Sequence, residues 1–306
     1  MHERPRARSP AATGRTPKPS KGSFLKTPKR LEALVEEGLI DEVVRQLMSG
    51  KEAIVYVVRC GTEIRCAKVY KEANRRGFRQ AALYQEGRKV KNSRQARAME
   101  KGTRFGRQAQ EEAWQSVEVD TLYRLAAAGV RVPRPYGFFQ GVVLMDLLVD
   151  ARGQAAPRLN DVDLSVQQAL DYHAMLIGEI RKMLCAGIIH GDLSEYNILL
   201  DQNGPVIIDL PQAVDAASNN NAQMMLKRDV ENMRTYFGRF APALLETRYG
   251  DEIWSLFQKG ELSPETPLTG HFQDKPGRPD VRGIIAEIDA VKDEQAARLR
   301  FLAERD

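Results

Sequence analysis

Three polar residues near the middle of the chain have types and spacings suited to phosphoryl transfer. Asp192 lies in the run His190-Gly191-Asp192-Leu193-Ser194-Glu195-Tyr196-Asn197. Asn197 follows it by five residues, and Asp209 ends the apolar run Val206-Ile207-Ile208. An acid on a loop can accept the proton of an attacking hydroxyl. A neutral amide that closes the loop offers an uncharged oxygen to a divalent cation. An acid at a strand end offers the anionic oxygen that a hard cation such as Mg²⁺ prefers. His190 reads as a residue that orients the loop rather than as a base.

The elements that must position these groups follow from periodicity and turn chemistry. Leu31 to Leu39 predicts a short helix. Asp41 to Met48, Ala53 to Arg59 and Ile64 to Tyr70 predict three strands with tight turns, an antiparallel meander. Gln110 to Ala128 predicts a helix capped by Gly129. Tyr136 to Phe139 and Val142 to Asp146 flank a Gln140-Gly141 turn and predict a hairpin. Residues 149–158 read as a linker or surface loop. Ser165 to Gly187 predicts a long helix with a serine cap and a glycine stop. Asn203-Gly204 predicts the turn of a second hairpin. From about 219 onward the pattern is helical, with a closing amphipathic helix over roughly 281–304.

Two features of the first half could serve the same chemistry. Lys68 sits within Ala67-Lys68-Val69 on the third predicted strand, and a lysine flanked by apolar residues there needs an anionic partner. Glu118, on the helix after that strand, is the candidate. In that reading Lys68 holds the α- and β-phosphates of a nucleotide and Glu118 holds Lys68. The turn Ser49-Gly50-Lys51-Glu52 joins the first two strands, and its glycine lets backbone N–H groups approach phosphates. No Gly-x-x-x-x-Gly-Lys-Ser/Thr run occurs, which excludes a Walker-type nucleotidase.

Taken in order, Ser-Gly-Lys-Glu-Ala, Ala-Lys-Val-Tyr-Lys, His-Gly-Asp-Leu-Ser-Glu-Tyr-Asn and Ile-Asp-x-x-Gln (Asp209 to Gln212) resemble the RIO family of atypical serine/threonine kinases. The resemblance covers about residues 40–240. It implies an α+β, two-lobed protein-kinase-like fold: a small antiparallel β-sheet lobe with one helix, and a mainly helical second lobe. The lobes would be 31–148, with a flexible basic insertion at 71–108, and 149–306. It implies ATP and Mg²⁺, with Mn²⁺ as an alternative cation. By position, Lys68 and Glu118 become the ATP lysine and its partner, and Asp192 the catalytic acid/base. Asn197 and Asp209 become metal ligands, and Ser49, Gly50, Lys51 and Glu52 the phosphate loop. Met145 and Asp146 to Leu148, with Leu147 central, fall at the adenine-side hinge. The chain departs from members outside bacteria at Ile54, often Asn, and at Gly191, often Ala. The stretch before the first strand is too short for the winged-helix domain of the second subfamily, so the first subfamily or a bacterial branch of it is the expectation. After Asp209 the chain reads Leu-Pro-Gln, and no Ala-Pro-Glu occurs beyond it, which leaves little room for a peptide-docking segment.

Composition narrows the partners. Residues 1–30 hold nine Lys and Arg against Glu3, and 71–110 hold twelve against Glu72, Glu86 and Glu100, whereas the remainder is net acidic. Residues 1–30 have almost no large apolar side chains and read as a disordered basic tail. Positive charge gathered in two segments suits ribosomal RNA or a ribonucleoprotein as partner, or a solvated tail and loop that touch nothing. Cys60, Cys66 and Cys185 form no Cys-x-x-Cys pair, which argues for a reducing compartment, a cytoplasmic protein and no zinc site. No stretch approaches the roughly 18 apolar residues of a membrane span.

Three activities stay open at this stage. One is a serine/threonine protein kinase that phosphorylates at least itself, with its protein acceptor unknown. The second is an ATPase switch that docks on ribosomal particles. The third is a small-molecule phosphotransferase of the aminoglycoside-kinase type, toward which Gly191 inclines the loop.

Overall fold

The computed structural model describes residues 28–50, 53–71 and 118–273. The basic segments at 1–27 and 72–117, the turn residues Lys51 and Glu52, and the predicted closing helix at 281–304 lie outside the described residues.

Five antiparallel strands form one sheet in the order β1-β2-β3-β5-β4. They are β1 (Glu42–Ser49), β2 (Ala53–Cys60), β3 (Glu63–Tyr70), β4 (Pro135–Phe139) and β5 (Val142–Asp146). β1 is the largely exposed edge, and two register irregularities bend it, at Val43/Arg45 and Gln46/Met48. Bulges of this kind twist an edge away from further pairing. The period of two along β3 decides what each face can do. Ala67 and Val69 turn to one face, where they pack with Tyr56, Val58, Val142 and Leu144 under Leu31 and Leu34 of helix α1 (Lys29–Glu36). Lys68 and Tyr70 turn to the other face, toward a helix at 118–127 (α2) whose Val119, Leu122 and Leu125 are buried. Helix α1 begins at Lys29, inside the stretch read from the sequence as tail. The strand that pairs Lys68 with Val55 and Val143 therefore holds the lysine at the centre of the sheet.

The second half opens with residues 149–158, which are not a plain linker. Val149 bridges Ala155, and Arg158 bridges Leu199. Helix α3 (Val166–Cys185) starts from a capping box in which Ser165 and Gln168 satisfy each other's backbone N–H groups. It ends two residues before Gly187, whose φ of 73° turns the chain. Its buried Ala169, His173, Leu176, Ile177, Ile180, Met183 and Leu184 form one helical stripe. Then come β6 (Ile188–Ile189), paired with β9 (Val214–Asp215), and the hairpin β7 (Ile198–Asp201) with β8 (Gly204–Ile207). The hairpin turn is one residue earlier than its Asn-Gly signal suggests. Gly204 pairs with Asp201, and Gln202-Asn203 forms the loop. Helices α4 (Ala222–Gly238) and α5 (Tyr249–Gln258) complete the fold. The helical pattern expected from 219 begins at Ala222, because Asn219, Asn220 and Asn221 make turns instead: Asn219 accepts the N–H of Asn221 at 2.8 Å.

Arg131 ties the two halves together. Its N–H donates to Glu179 on α3 at 2.8 Å, and its guanidinium meets Asp201 at 2.6 Å and the Pro205 carbonyl at 3.0 Å. Its carbonyl accepts the N–H of Ile207 at 2.9 Å. The cleft between sheet and helices is thus set by hydrogen bonds to both strands of the β7–β8 hairpin, whose open end carries both Asn197, before β7, and Asp209, after β8. Among the described residues no helix is long and apolar enough to cross a membrane.

Candidate active site

Lys68 reaches from the middle of β3 into this cleft. Its Nζ donates to Glu118 Oε1 at 2.6 Å and to Asp209 Oδ1 at 2.9 Å. The Lys68 side chain is 14% exposed, that of Glu118 3%, and that of Asp209 45%. Two carboxylates from two further elements therefore meet one ammonium, and Asp209 is the one nearer solvent. Burial opposes the charge on Lys68, but Glu118, Tyr70 and Asp209 outweigh it and hold the ammonium well above the ordinary lysine range. Tyr70, two residues on and so on the same face, donates its hydroxyl to the other oxygen of Glu118. Burial above all raises the Tyr70 phenol, which therefore stays a donor. The sequence reading overlooked Tyr70, although the strand period of two points to it.

Asp209 takes a φ of 66°, rare for a residue with a side chain. Such strain persists only where surrounding structure enforces it, and it clusters at functional sites. Burial works against its ionisation, yet Lys68 prevails and the carboxyl is held below its ordinary range.

The loop that carries Asp192 is pinned from three sides. Asn197 Nδ2 donates to the Asp192 carbonyl at 2.8 Å, which leaves the amide oxygen of Asn197 as an acceptor. Buried His190 places Nε2 at 3.1 Å from the Ile208 carbonyl, and its Nδ1 accepts the Asp192 N–H at 3.3 Å. That network assigns the proton to Nε2. His190 thus links the Asp192 loop to the residue before Asp209, as an orienting group. Gly191 has a φ of 81°, which explains a glycine where a side chain would be strained. Gln212 Nε2 donates to Asp192 Oδ2 at 3.3 Å. The Asp192 residue reaches solvent, but its surroundings desolvate the carboxyl enough to raise its pKa.

Asp229 is the third anchor, and sequence reasoning missed it. It lies on α4, is 2% exposed, and accepts the N–H groups of Gly191 at 2.8 Å and Leu193 at 3.0 Å. Its neighbour Arg228 donates to the Gly191 carbonyl, and Asn232 donates to the Leu193 carbonyl at 2.9 Å. A signal was present. The buried positions of α4 include Met225, Leu226, Val230 and Met233, and Asp229 falls on that stripe. An acid on an apolar face must answer a polar group across the interface.

The remaining sequence candidates that the structure describes lie at strand ends of the sheet. Lys71 Nζ lies 2.6 Å from the Gly50 carbonyl and 3.2 Å from Ser49 Oγ, and Gly50 N–H donates to the Ala53 carbonyl at 2.9 Å. Met145 and Asp146 end β5, where Asp146 accepts the Tyr136 hydroxyl at 2.7 Å and the Arg134 N–H at 3.1 Å. Leu147 comes next, half-buried, and its backbone has no hydrogen-bond partner among the described residues.

The donor set suits a magnesium ion shared with a substrate. One half-exposed carboxylate and one amide oxygen are too few for a protein-only site, and Mg²⁺ completes such shells with water and phosphate oxygens. Among the described residues no group of three or more His, Cys, Asp or Glu could hold a metal alone.

Comparison with known proteins accords with this geometry. A family model described as the RIO domain matches residues 54–249. The RIO-type serine/threonine-protein kinase Rio1 of Haloferax volcanii is 34% identical over 209 residues, 67% of this chain and 67% of its own length. The Rio1 protein of Methanocaldococcus jannaschii is 32% identical over 65% of this chain and 64% of its own. The serine/threonine-protein kinase rio1 of Schizosaccharomyces pombe is 30% identical over 67% of this chain but only 40% of its own length. The matched region therefore spans about two thirds of the archaeal relatives and two fifths of the yeast one.

Proposed function

Since this chain belongs to the RIO family of serine/threonine-protein kinases, we propose that it transfers the γ-phosphoryl group of ATP to serine or threonine hydroxyls, its own included. The observation that carries this reading is the Lys68 ammonium held between Glu118 and Asp209, 50 and 141 residues away in sequence.

In this reading Lys68 aligns the α- and β-phosphates, and Glu118 with Tyr70 holds the lysine in place. Asn197 and Asp209 hold Mg²⁺, which supplies charge neutralisation at the phosphate oxygens. Asp192 accepts a hydrogen bond from the acceptor hydroxyl, orients it for in-line attack and takes its proton as the oxygen–phosphorus bond forms, while the bond from the γ-phosphorus to the bridging β-phosphate oxygen breaks and ADP leaves. Such a base contributes about 10²–10⁴-fold, with the balance from positioning and electrostatics. Adenine lies at Met145 to Leu148, where the open backbone of Leu147 can pair with it. The turn at Ser49 and Gly50 covers the phosphates. Lys51 and Glu52 belong to the same proposal but lie outside the described residues.

A second reading rests on the segment between Asp209 and α4. It comprises only residues 210–221, which are occupied by the β9 pairing and asparagine turns. That leaves a meagre platform for a peptide, and the two basic segments favour a ribosomal particle as the surface that stimulates turnover. Incubation of the whole chain with γ-labelled ATP and Mg²⁺ separates the two. Acid-stable label on serine or threonine supports the kinase. Free phosphate without retained protein label, enhanced by ribosomal RNA in a salt-dependent way, supports the switch. No turnover of ATP at all would defeat both.

A further inference from the structure

We propose that Arg158 is a phosphate-gripping residue of the nucleotide cleft, an inference that rests on the phosphotransfer reading above. Arg158 comes after the hinge stretch, and its backbone bridges Leu199 on β7, two residues after Asn197. Its side chain runs to the opposite wall. There Nη2 lies 3.1 Å from the sulfur of Met48 on β1, directly before Ser49 and Gly50. The guanidinium therefore spans the gap between the floor of the cleft and the glycine turn above it.

What it meets there is poor in acceptors. A thioether is a weak one. The Nε of Arg158 is shielded from solvent and has no hydrogen-bond partner among the described residues. A buried donor without a partner is costly, so its retention calls for a reason. The other cations named at the cleft are engaged: Lys68 is paired with two carboxylates, and Lys71 is tied to Ser49 and Gly50. Among the described residues no carboxylate lies within ion-pair distance of Arg158, although its charge is close enough to favour the Asp209 carboxylate. A planar fork of donors at this place matches a phosphate oxygen pair, which a lysine would meet only as a point charge. Displacement from Met48 by the nucleotide would exchange a sulfur contact for charge-assisted hydrogen bonds.

A ligand ladder tests this. Binding of adenosine, AMP, ADP and ATP, each with Mg²⁺, is measured by calorimetry on the full chain and on Arg158→Ala and Arg158→Lys. The expected result is adenosine affinity within about twofold of the unaltered chain in both variants. ADP and ATP bind about tenfold or more weakly to Arg158→Ala, and Arg158→Lys falls between. The step at which the loss appears along the ladder names the phosphate gripped. Equal losses for adenosine and ATP, or no loss for any ligand, would overturn the assignment and leave Arg158 a packing residue. If Arg158→Ala fails to give a folded circular-dichroism spectrum, Arg158→Lys decides by the same ladder. Should the unaltered chain bind none of the four ligands, the phosphotransfer reading itself fails and this inference falls with it.

Discussion

Lys68 and Asp209 stand 141 residues apart in sequence and 2.9 Å apart in space. One comes from the centre of the sheet, the other from the end of a hairpin on the opposite wall. Their contact spans the place where the proposed triphosphate would lie and lowers Asp209, whereas Lys68 owes its raised value first to Glu118 and Tyr70. Lys68 is held raised and Asp209 lowered against the opposing effect of burial. The pair's contribution to stability is therefore complete between about pH 4 and pH 10.5, the ordinary values of the two groups. It is lost as pH falls through the lowered Asp209 value or rises through the raised Lys68 value.

Replacing Lys68 by Met leaves Glu118 buried with Tyr70 as its one remaining side-chain partner among the described residues. Removing one member of a buried pair costs about 3–5 kcal/mol, and urea unfolding at pH 7 reads that loss. Adding Glu118→Gln should restore part of the stability, because the stranded charge is gone. It should restore none of the ATP turnover, which the single variant lowers by about 10²-fold or more. Full rescue of turnover by the double variant would remove Lys68 from the proposed phosphate contact.

Burial raises the Asp192 carboxyl. If Asp192 takes the acceptor proton, kcat/KM falls on the acid side as pH drops through this raised value, above the ordinary 3.8. Asp192→Asn should lower turnover by about 10²–10⁴-fold and flatten that limb, with ATP affinity retained. A pH–rate profile whose acid limb survives in Asp192→Asn would assign the limb to another group.

The sheet was legible because its strands are short runs rich in β-branched residues and its turns carry glycine. The apolar neighbours of Lys68 on a predicted strand called for an anionic partner and led to Glu118, and the apolar run before Asp209 marked a strand end. The rest failed for identifiable reasons. Tyr70 was passed over: the period of two puts it on the Lys68 face, but its bond to Glu118 is a tertiary contact that the strand alone does not announce. Gly204 suited an Asn-Gly turn, but its φ of 116° serves pairing with Asp201, so the register slipped by one. Arg158 sat in a stretch whose only local signals were Gly153 and Pro157, and its meeting with Met48 is purely tertiary. Asp229 was written on the helix stripe, yet its partners, two backbone N–H groups 36 and 38 residues earlier, have no side-chain signature.

Asp229→Ala should leave the N–H groups of Gly191 and Leu193 buried without acceptors. At about 1–3 kcal/mol for each group, the expected loss is about 2–6 kcal/mol by chemical denaturation. Asp229→Asn supplies one acceptor oxygen where two are needed and should fall between. Because the carboxylate holds the Asp192 loop and not the phosphate side, turnover should drop while ATP affinity stays within about threefold. Equal losses of affinity and turnover would place Asp229 in general packing instead.

His173 gives the fold an acid-sensitive point remote from the cleft chemistry. It lies on α3, 1% exposed, with its ring 5.7 Å from Phe237 and 5.6 Å from Tyr249, and its Nε2 has no hydrogen-bond partner among the described residues. Burial lowers its pKa to about 4 from the ordinary 6.5. A histidine kept neutral in the fold but free to protonate when unfolded favours unfolding in acid. Stability is complete above pH 6.5 and declines as pH falls toward 4, by an amount on the order of 3 kcal/mol. His173→Phe removes the titrating group and keeps an aromatic ring against Phe237 and Tyr249. Melting temperatures of the two chains should therefore converge or cross between pH 7 and pH 4.5, with the variant losing less. Parallel decline over that range would assign the acid sensitivity to other groups.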